Sequence, residues 1–290
     1  MNEKKISVFS IVNLLLLTAV ALATLYPFIY MVAVSLSGSN YVLKGMVSWF
    51  PRGFNLDMYK LVLQDPRIMH AYVNTIVYAS AGTLVALVVT GLGAYALSKP
   101  EMLFGRGFTV LIVITMFFSG GMIPTFLVVK EMGIMDTLWA MVLPGAVSTW
   151  NLLIMRTFFA GIPRELEESG KLDGLSDLGI FARIVVPLSG AIFATIGLFY
   201  AVGLWNNFLN PLLYLRDPDL FPLQVILRNL LLAGQAGAGD LTAAKGGDSV
   251  IVEESYKFAV ILVSTLPILC VYPFVQRFFV RGVMIGAVKG

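Results

Sequence analysis

The chain has 290 residues, of which 58% are hydrophobic and only 13% charged, with a mean hydropathy of +0.85. That balance excludes an ordinary water-soluble domain and places the chain among integral membrane proteins. A formal net charge of +3, one histidine and one cysteine exclude a multi-histidine metal centre, a cysteine-rich zinc site and an internal disulfide.

Stretches free of Asp, Glu, Lys and Arg run over residues 6–43, 68–98, 107–129, 137–155, 184–215 and 258–276. A helix needs roughly 20 mainly apolar residues to cross a bilayer, so each run predicts one crossing. The expected fold is all-α, a single transmembrane domain over 1–290 with six spans near 11–36, 70–97, 107–130, 137–160, 188–213 and 258–280.

In the first span Lys4 and Lys5 precede the apolar run, and Ala21-Leu22-Ala23 has the small-x-small form of a signal cleavage site. The run nevertheless continues through Tyr26, Pro27 and Phe28 to Leu36 without a polar break, so an uncleaved first span is expected. The loop over 37–69 holds Trp49, Phe50, Pro51, Arg52, Asn55 and Tyr59, a pattern for a short amphipathic element at the membrane surface. Span two opens near His70 and carries Gly82, then Gly91, Gly93 and Ala94, small residues that let helices approach closely. Gly120-Gly121 with Pro124 in span three, and Pro144-Gly145 in span four, predict broken helices. Such breaks at membrane depth are tolerated where buried or lining a cavity, and serve either as gating hinges or as simple kinks.

Between spans four and five lies an island of charge, Pro163 to Pro187. Glu165, Glu167 and Glu168 cluster where a short helix begins, suiting the positive end of its dipole. Asp173-Gly174 is a turn signal in which Gly174 takes the left-handed conformation that ends a helix. A second short helix starts near Ser176, with Ile180, Phe181, Ile184 and Val185 along one face, and is expected to stop at Pro187. The product is a compact knob, either a solvated amphipathic loop or a plug for a groove on another protein. Gly170-Lys171 offers no phosphate loop, because Leu172 follows where Ser or Thr should hold magnesium and Glu165 stands where the first glycine belongs. The chain therefore does not split ATP by that route, and no nucleophile and base pair points to an enzyme.

Span five ends in the most polar cluster of any span: Tyr200, Trp205, Asn206, Asn207, Asn210 and Pro211. An indole face beside amides suits sugar recognition, whereas the plainer alternative is a capped helix end in the interfacial belt. Asn206 lies about 19 residues beyond Pro187, near the outer surface at ~1.5 Å per residue, which favours an outer vestibule or a binding-protein contact. The loop 211–257, with a Gly- and Ala-rich tract over 234–249, is expected to be a mobile projection. With both termini inside, cytoplasmic segments carry 11 Lys or Arg, and outer segments nine against ten Asp or Glu; this satisfies the positive-inside rule. The net charge thus reflects membrane orientation and not nucleic-acid binding.

The spacing Glu168-x-x-x-x-Asp173-Gly174, an apolar helix and then Pro187-Leu188-Ser189 resembles the EAA loop of ABC-importer permeases. Ser169, Gly170 and Leu175 depart from that pattern, where the family commonly has alanine. The six spans, the long outer loops, Trp205-Asn206-Asn207-Phe208 and the ending Arg281 to Gly290 are similar to carbohydrate permeases of the maltose and alginate type. The resemblance implies a subunit of the bacterial cytoplasmic (inner) membrane without cofactor or catalytic residues. It would work with a second homologous permease, two ATP-binding subunits and an extracytoplasmic solute-binding protein that delivers a sugar or oligosaccharide. By the same resemblance, loop 163–187 is a cytoplasmic coupling helix with Glu168, Asp173, Gly174, Phe181 and Pro187 facing the ATPase, and Trp205, Asn206, Asn207 and Asn210 line the translocation path or the binding-protein contact. A permease for a non-sugar solute is the first alternative. An ion-coupled carrier is the second, though the spans hold no Asp or Glu to relay a cation.

Overall fold

A computed structural model describes residues 8–235 and 254–270. In chain order its helices are α1 (Val8–Ser35), α2 (Ser39–Leu43), α3 (Asp57–Gln64), α4 (Pro66–Ser98), α5 (Gly105–Phe117), α6 (Met122–Glu131), α7 (Leu138–Val142), α8 (Thr149–Ala160), α9 (Arg164–Leu172), α10 (Asp177–Ile180), α11 (Val186–Leu188), α12 (Gly190–Trp205), α13 (Leu209–Tyr214) and α14 (Leu223–Gln235). A further helix, α15, covers residues 254–270. No strand occurs among the described residues, as expected for an all-α chain. Among the described residues, contacts cluster into two compact units, 8–69 with 227–235 and 254–267, and 70–226 with 268–270.

In the first unit, α1 is one unbroken helix through Ala21-Leu22-Ala23 and past Pro27. Its side chains from Val8 to Phe28 are exposed and mostly apolar, with Ser10, Asn13, Thr18 and Thr24 scattered among them, and burial begins only at Ala33, Val34 and Ser35. An apolar helix without a polar face belongs in lipid. The segment after it is tied back by backbone and hydroxyl bonds. Ser37 Oγ donates to the Ala33 carbonyl at 2.6 Å and accepts from the Arg52 amide at 2.9 Å. The Asn55 amide donates to the Leu36 carbonyl at 2.9 Å. Ser35 Oγ pairs with the Tyr59 hydroxyl at 2.8 Å. Helix α3 buries Met58 and Val62 and exposes Leu63; of the residues that suggested an amphipathic element only Tyr59 lies on it, and Trp49 to Asn55 are not helical.

The second unit is organised around α4. Its glycines are sites of close approach: a Cβ at Gly82 would stand 2.7 Å from Leu204 Cδ1, and one at Gly91 3.2 Å from Phe193 Cε1. In return, Gly197 of α12 faces Leu87 at 3.2 Å. Small residues here let α4 and α12 pack backbone against side chain. The core that results holds Ala86, Ala94, Tyr95, Met155, Phe159, Ile180, Val185, Ile196 and Tyr200.

Two described helices, α1 and α4, are long and apolar enough to cross a membrane unbroken, and the number rises to five if each bent pair counts as one span. The third expected span breaks at Gly120-Gly121, where Gly121 has φ +82°, and α5 and α6 meet at 114°. The fourth breaks at a 3₁₀ turn, Leu143–Gly145, and bends by 58° before α8. The sixth expected span, 258–280, extends beyond the described residues.

Two expectations change. The helix begun at Ser176 does not stop at Pro187. A π turn over Phe181–Val185, with the Val186 amide donating to the Phe181 carbonyl, precedes the proline and lets the helix run on to Leu188. The wider turn removes the clash that a proline ring makes with the carbonyl one turn back in a regular helix. The chain then turns by 86° at Ser189 into α12.

The loop 211–257 is also not a free projection from its start, because residues 211–214, Pro218–Leu220 and Leu223–Gln235 are helical. Side chains of α4 hold this stretch by its backbone. Asn74 Nδ2 donates to the Asp219 and Phe221 carbonyls at 2.7 and 3.2 Å, Tyr78 donates to Leu220 O at 2.9 Å, and Thr75 Oγ1 accepts from the Leu223 amide at 2.8 Å. Of the tract 234–249, only Gly234 and Gln235 lie within the described residues. Thr75→Val keeps the side-chain shape but strands a buried N–H at the start of α14, so about 1–3 kcal/mol of stability is expected to be lost. Thermal unfolding of the purified variant in detergent measures it; an unchanged midpoint refutes the anchor.

Candidate functional site

The charged island folds as the knob its residues predict. Pro163 opens α9, Glu165 and Glu167 occupy its first turn and Lys171 its last, matching charge to the helix dipole at both ends. The helix closes in a Schellman motif. The Gly174 amide donates to Lys171 O at 3.0 Å, and the Leu175 amide reaches back to Gly170 O at 2.9 Å. Gly174 has φ +78°, the left-handed conformation this closure demands. Ser176 then caps α10, its Oγ accepting from the Gly179 amide at 3.3 Å.

The knob has an inward and an outward side. Inward, Ile180 and Val185 are fully buried and Leu175, Phe181 and Ile184 pack beside them. The Phe181 ring lies 5.1 Å from that of Tyr95 and 6.3 Å from that of Phe159. Gly170 is buried because α9 rests there on Ile184 and Ile180. Outward stand Glu165, Glu168, Asp173 and Gly174, all exposed. Among them Leu172 is 89% and Leu178 68% exposed, large apolar side chains in water unless something covers them. Glu168, Asp173 and Gly174 therefore share one exposed surface. Phe181 does not join them: it belongs to the packing that holds the knob in place. Pro187 is exposed at the far end of the π turn, away from the α9–α10 corner. Exposure of Leu172 and Leu178 is not an expectation of the sequence reading, although an apolar residue amid charges on a short helix is a legible signal.

Glu167 differs from its two neighbours. It faces inward and forms an ion pair with Lys99, which follows the last residue of α4. The Lys99 ammonium also sits 4.1 Å above the centre of the Tyr95 ring. Burial pushes the Lys99 amine below its ordinary value, with Lys171 acting in the same direction and Asp177 against it. Beside this pair opens a cavity of about 760 Å³ lined by Tyr95, Phe159, Arg164, Glu168 and Leu178.

The polar end of span five is arranged differently from a convergent binding site. Asn206 is the C-terminal cap of α12, exposed, and its Nδ2 donates to Val202 O of its own helix at 2.9 Å. Asn207 Oδ1 accepts from the Asn210 amide at 3.2 Å, opening α13. These amides serve the helix ends first, the plainer of the two readings of the sequence. Trp205 stands edge-on to Tyr72 with centroids 6.5 Å apart, and its buried Nε1 has no hydrogen-bond partner among the described residues. Tyr200 is the residue that crosses elements. Its hydroxyl pairs with Thr90 Oγ1 of α4 at 2.8 Å and accepts from the Ser148 amide at 2.9 Å, pinning the break before α8.

Residues 100–285 match a family described as the inner membrane component of binding-protein-dependent transport systems. Over all of this chain and 97% of the relative, the sequence is 44% identical to Protein LplC of Bacillus subtilis. It is 42% identical to the polygalacturonan/rhamnogalacturonan transport system permease protein YtcP of the same organism, across 93% of this chain and 94% of that one. The fold superposes with a TM-score of 0.87 on a chain of a crystal structure described as a bacterial ABC transporter involved in the import of the acidic polysaccharide alginate. Identity there is 34%, covering 96% of this chain and 99% of the other.

Proposed function

This chain belongs to the family of inner membrane components of binding-protein-dependent transport systems, and from that premise we propose that it is the permease subunit of an ATP-driven importer for a sugar or oligosaccharide. In this reading the 290 residues form one transmembrane domain of six spans with both termini cytoplasmic. The two bent helix pairs over 105–131 and 138–160 each count as one crossing, and the fifth crossing begins with α12, beyond the turn at Ser189 that separates it from the knob. A second homologous permease completes the pathway, two ATP-binding subunits supply energy, and an extracytoplasmic binding protein delivers solute. The access side alternates as the ATPases close and open.

The observation that carries the reading is the knob. A rigidly capped α9–α10 corner exposes Glu168, Asp173, Gly174, Leu172 and Leu178, a mixed apolar and acidic surface suited to a groove on a partner. That surface is assigned to the ATPase, and Phe181 holds it in position from behind, while Pro187 stands exposed beyond the π turn. The sugar class rests on what the similar permeases are named for. Affinity purification of the tagged chain from its host should recover an ATP-binding subunit and a second permease, and hydrolysis by the reconstituted complex should rise when sugar-loaded binding protein is added. Recovery of the chain without any ATP-binding subunit refutes the proposal.

Trp205, Asn206, Asn207 and Asn210 are proposed to line the outer route, with unequal weights. Trp205 has an indole N–H that is buried and unpartnered among the described residues and would meet a sugar hydroxyl only once transport opens the site, whereas Asn206 bonds its own helix. Trp205→Ala is expected to reduce uptake of labelled oligosaccharide about tenfold or more, while Asn206→Leu reduces it only a few-fold, with subunit stoichiometry unchanged in both. A free N–H that meets a hydroxyl only during transit costs about 1–3 kcal/mol of recognition when removed. Equal, wild-type uptake by both variants leaves them as helix caps.

A further inference from the structure

We propose that Lys99 and Glu167 form a strut that delivers motion of the knob to α4. The proposal rests on the assignment of the knob as the ATPase-coupling element, and makes both residues positioning residues. Three placements support it. Lys99 is the first residue beyond α4 and Glu167 lies on the inward side of α9, so the ion pair joins the end of the longest described apolar helix directly to the knob. Both side chains are largely shielded, at 21% and 17% exposed, which spares the pair the screening that empties most surface ion pairs of effect. The ammonium is also held against the face of Tyr95 at 4.1 Å, and Tyr95 in turn packs on Phe181 and Phe159. The charge therefore has little freedom to swing away.

The other end of the strut is fixed as well. Arg156 Nε of α8 donates to the Leu97 carbonyl at 2.9 Å, holding the last turn of α4 beside the knob. A displacement of α9 then reaches α4 as a push on its C-terminal end. The acidic residues of the island thus divide by task, with Glu168 turned outward to a partner and Glu167 turned inward to Lys99.

The test uses the reconstituted complex and compares basal with binding-protein-stimulated ATP hydrolysis. Lys99→Glu and Glu167→Lys alone are each expected to lower stimulation about fivefold or more, the scale of a lost inter-site coupling. The exchanged pair, with both substitutions, should recover to within roughly twofold of wild type, and Lys99→Arg should stay there throughout, as expected for directly interacting positions. A second arm replaces Cys270, the single native cysteine, by Ser and introduces Lys99→Cys with Glu167→Cys. Stimulation should be low in the free dithiol form and restored by a short thiol-to-thiol cross-linker, because a covalent tie replaces a strut.

An exchanged pair no better than the single variants overturns the proposal, as does a cross-link that leaves stimulation low. Single variants that lose the ATPase altogether also count against it, since a strut transmits motion and does not hold the partner. Wild-type complexes without ATPase or stimulation refute the coupling assignment itself, a separate result.

Discussion

Gly170→Val is expected to displace α9 and abolish binding-protein-stimulated ATP hydrolysis while the transmembrane helices still insert. At this buried position even a Cβ would lie 2.8 Å from Ile184 Cδ1 and 3.2 Å from Ile180 Cγ1. The nearest of these atoms ends a flexible side chain, so Gly170→Ala should be absorbed by a small shift of Ile184. Two further methyl groups cannot be absorbed, and overpacking of this kind costs about 1–3 kcal/mol. The cost falls on a nine-residue helix that is too short to persist without its packing. Limited proteolysis across 163–175 reports the displacement, and stimulated hydrolysis in reconstituted complexes reports its consequence. Normal stimulation in the valine variant would show that α9 is not held by this contact.

Gly174→Val should have the second largest effect, by a different cause. Among the described residues no atom lies within 4 Å of a Cβ at Gly174, so space is not the obstacle. The backbone is: φ is +78°, where an L side chain costs about 1–2 kcal/mol and a β-branched one more. Relief of that strain opens the Schellman closure and swings Asp173 away from Glu168 on the exposed surface. Uptake and stimulated hydrolysis are both expected to fall severely, with basal hydrolysis and membrane insertion kept. Gly174→Asn is the control, because asparagine tolerates the left-handed region and should retain most coupling. Equal loss in Asn and Val variants would assign the effect to the side chain on the surface and not to the turn.

The knob was legible because its determinants are local. Glu165 and Glu167 at a helix start, Asp173-Gly174 at its end and Ser176 as the next cap act over three to five residues, and the backbone bonds they make are the ones their chemistry demands. The same holds for the break at Gly120-Gly121, where a glycine at φ +82° needs no distant partner. The uninterrupted helices α1 and α4 follow from apolar runs that no neighbouring element has to complete.

What needed the tertiary structure depends on neighbours far along the chain. Pro187 stops an isolated helix, but here a π turn absorbs it while Val185, four residues from the bend, is held in the core with Tyr95 and Phe159. The sequence favours an outer vestibule or binding-protein contact for Asn206 and Asn207 over simple caps, and only the positions of Val202 O and the Asn210 amide show the helix ends to be their present partners. The ordered start of the loop after Pro211 is imposed by Asn74, Thr75 and Tyr78, some 140 residues earlier in α4. Glu167 is indistinguishable from Glu165 and Glu168 by composition. The turn of α9 directs it inward, and Lys99, separated from it by α5 to α8, gives the buried charge its partner. Residue chemistry determines a helix start, a turn or an apolar length, because those free energies are summed over adjacent residues. Which of several like side chains is buried, and against what, is decided by packing between segments distant in sequence, since burying a charge or an amide is tolerable only where folding has brought its complement.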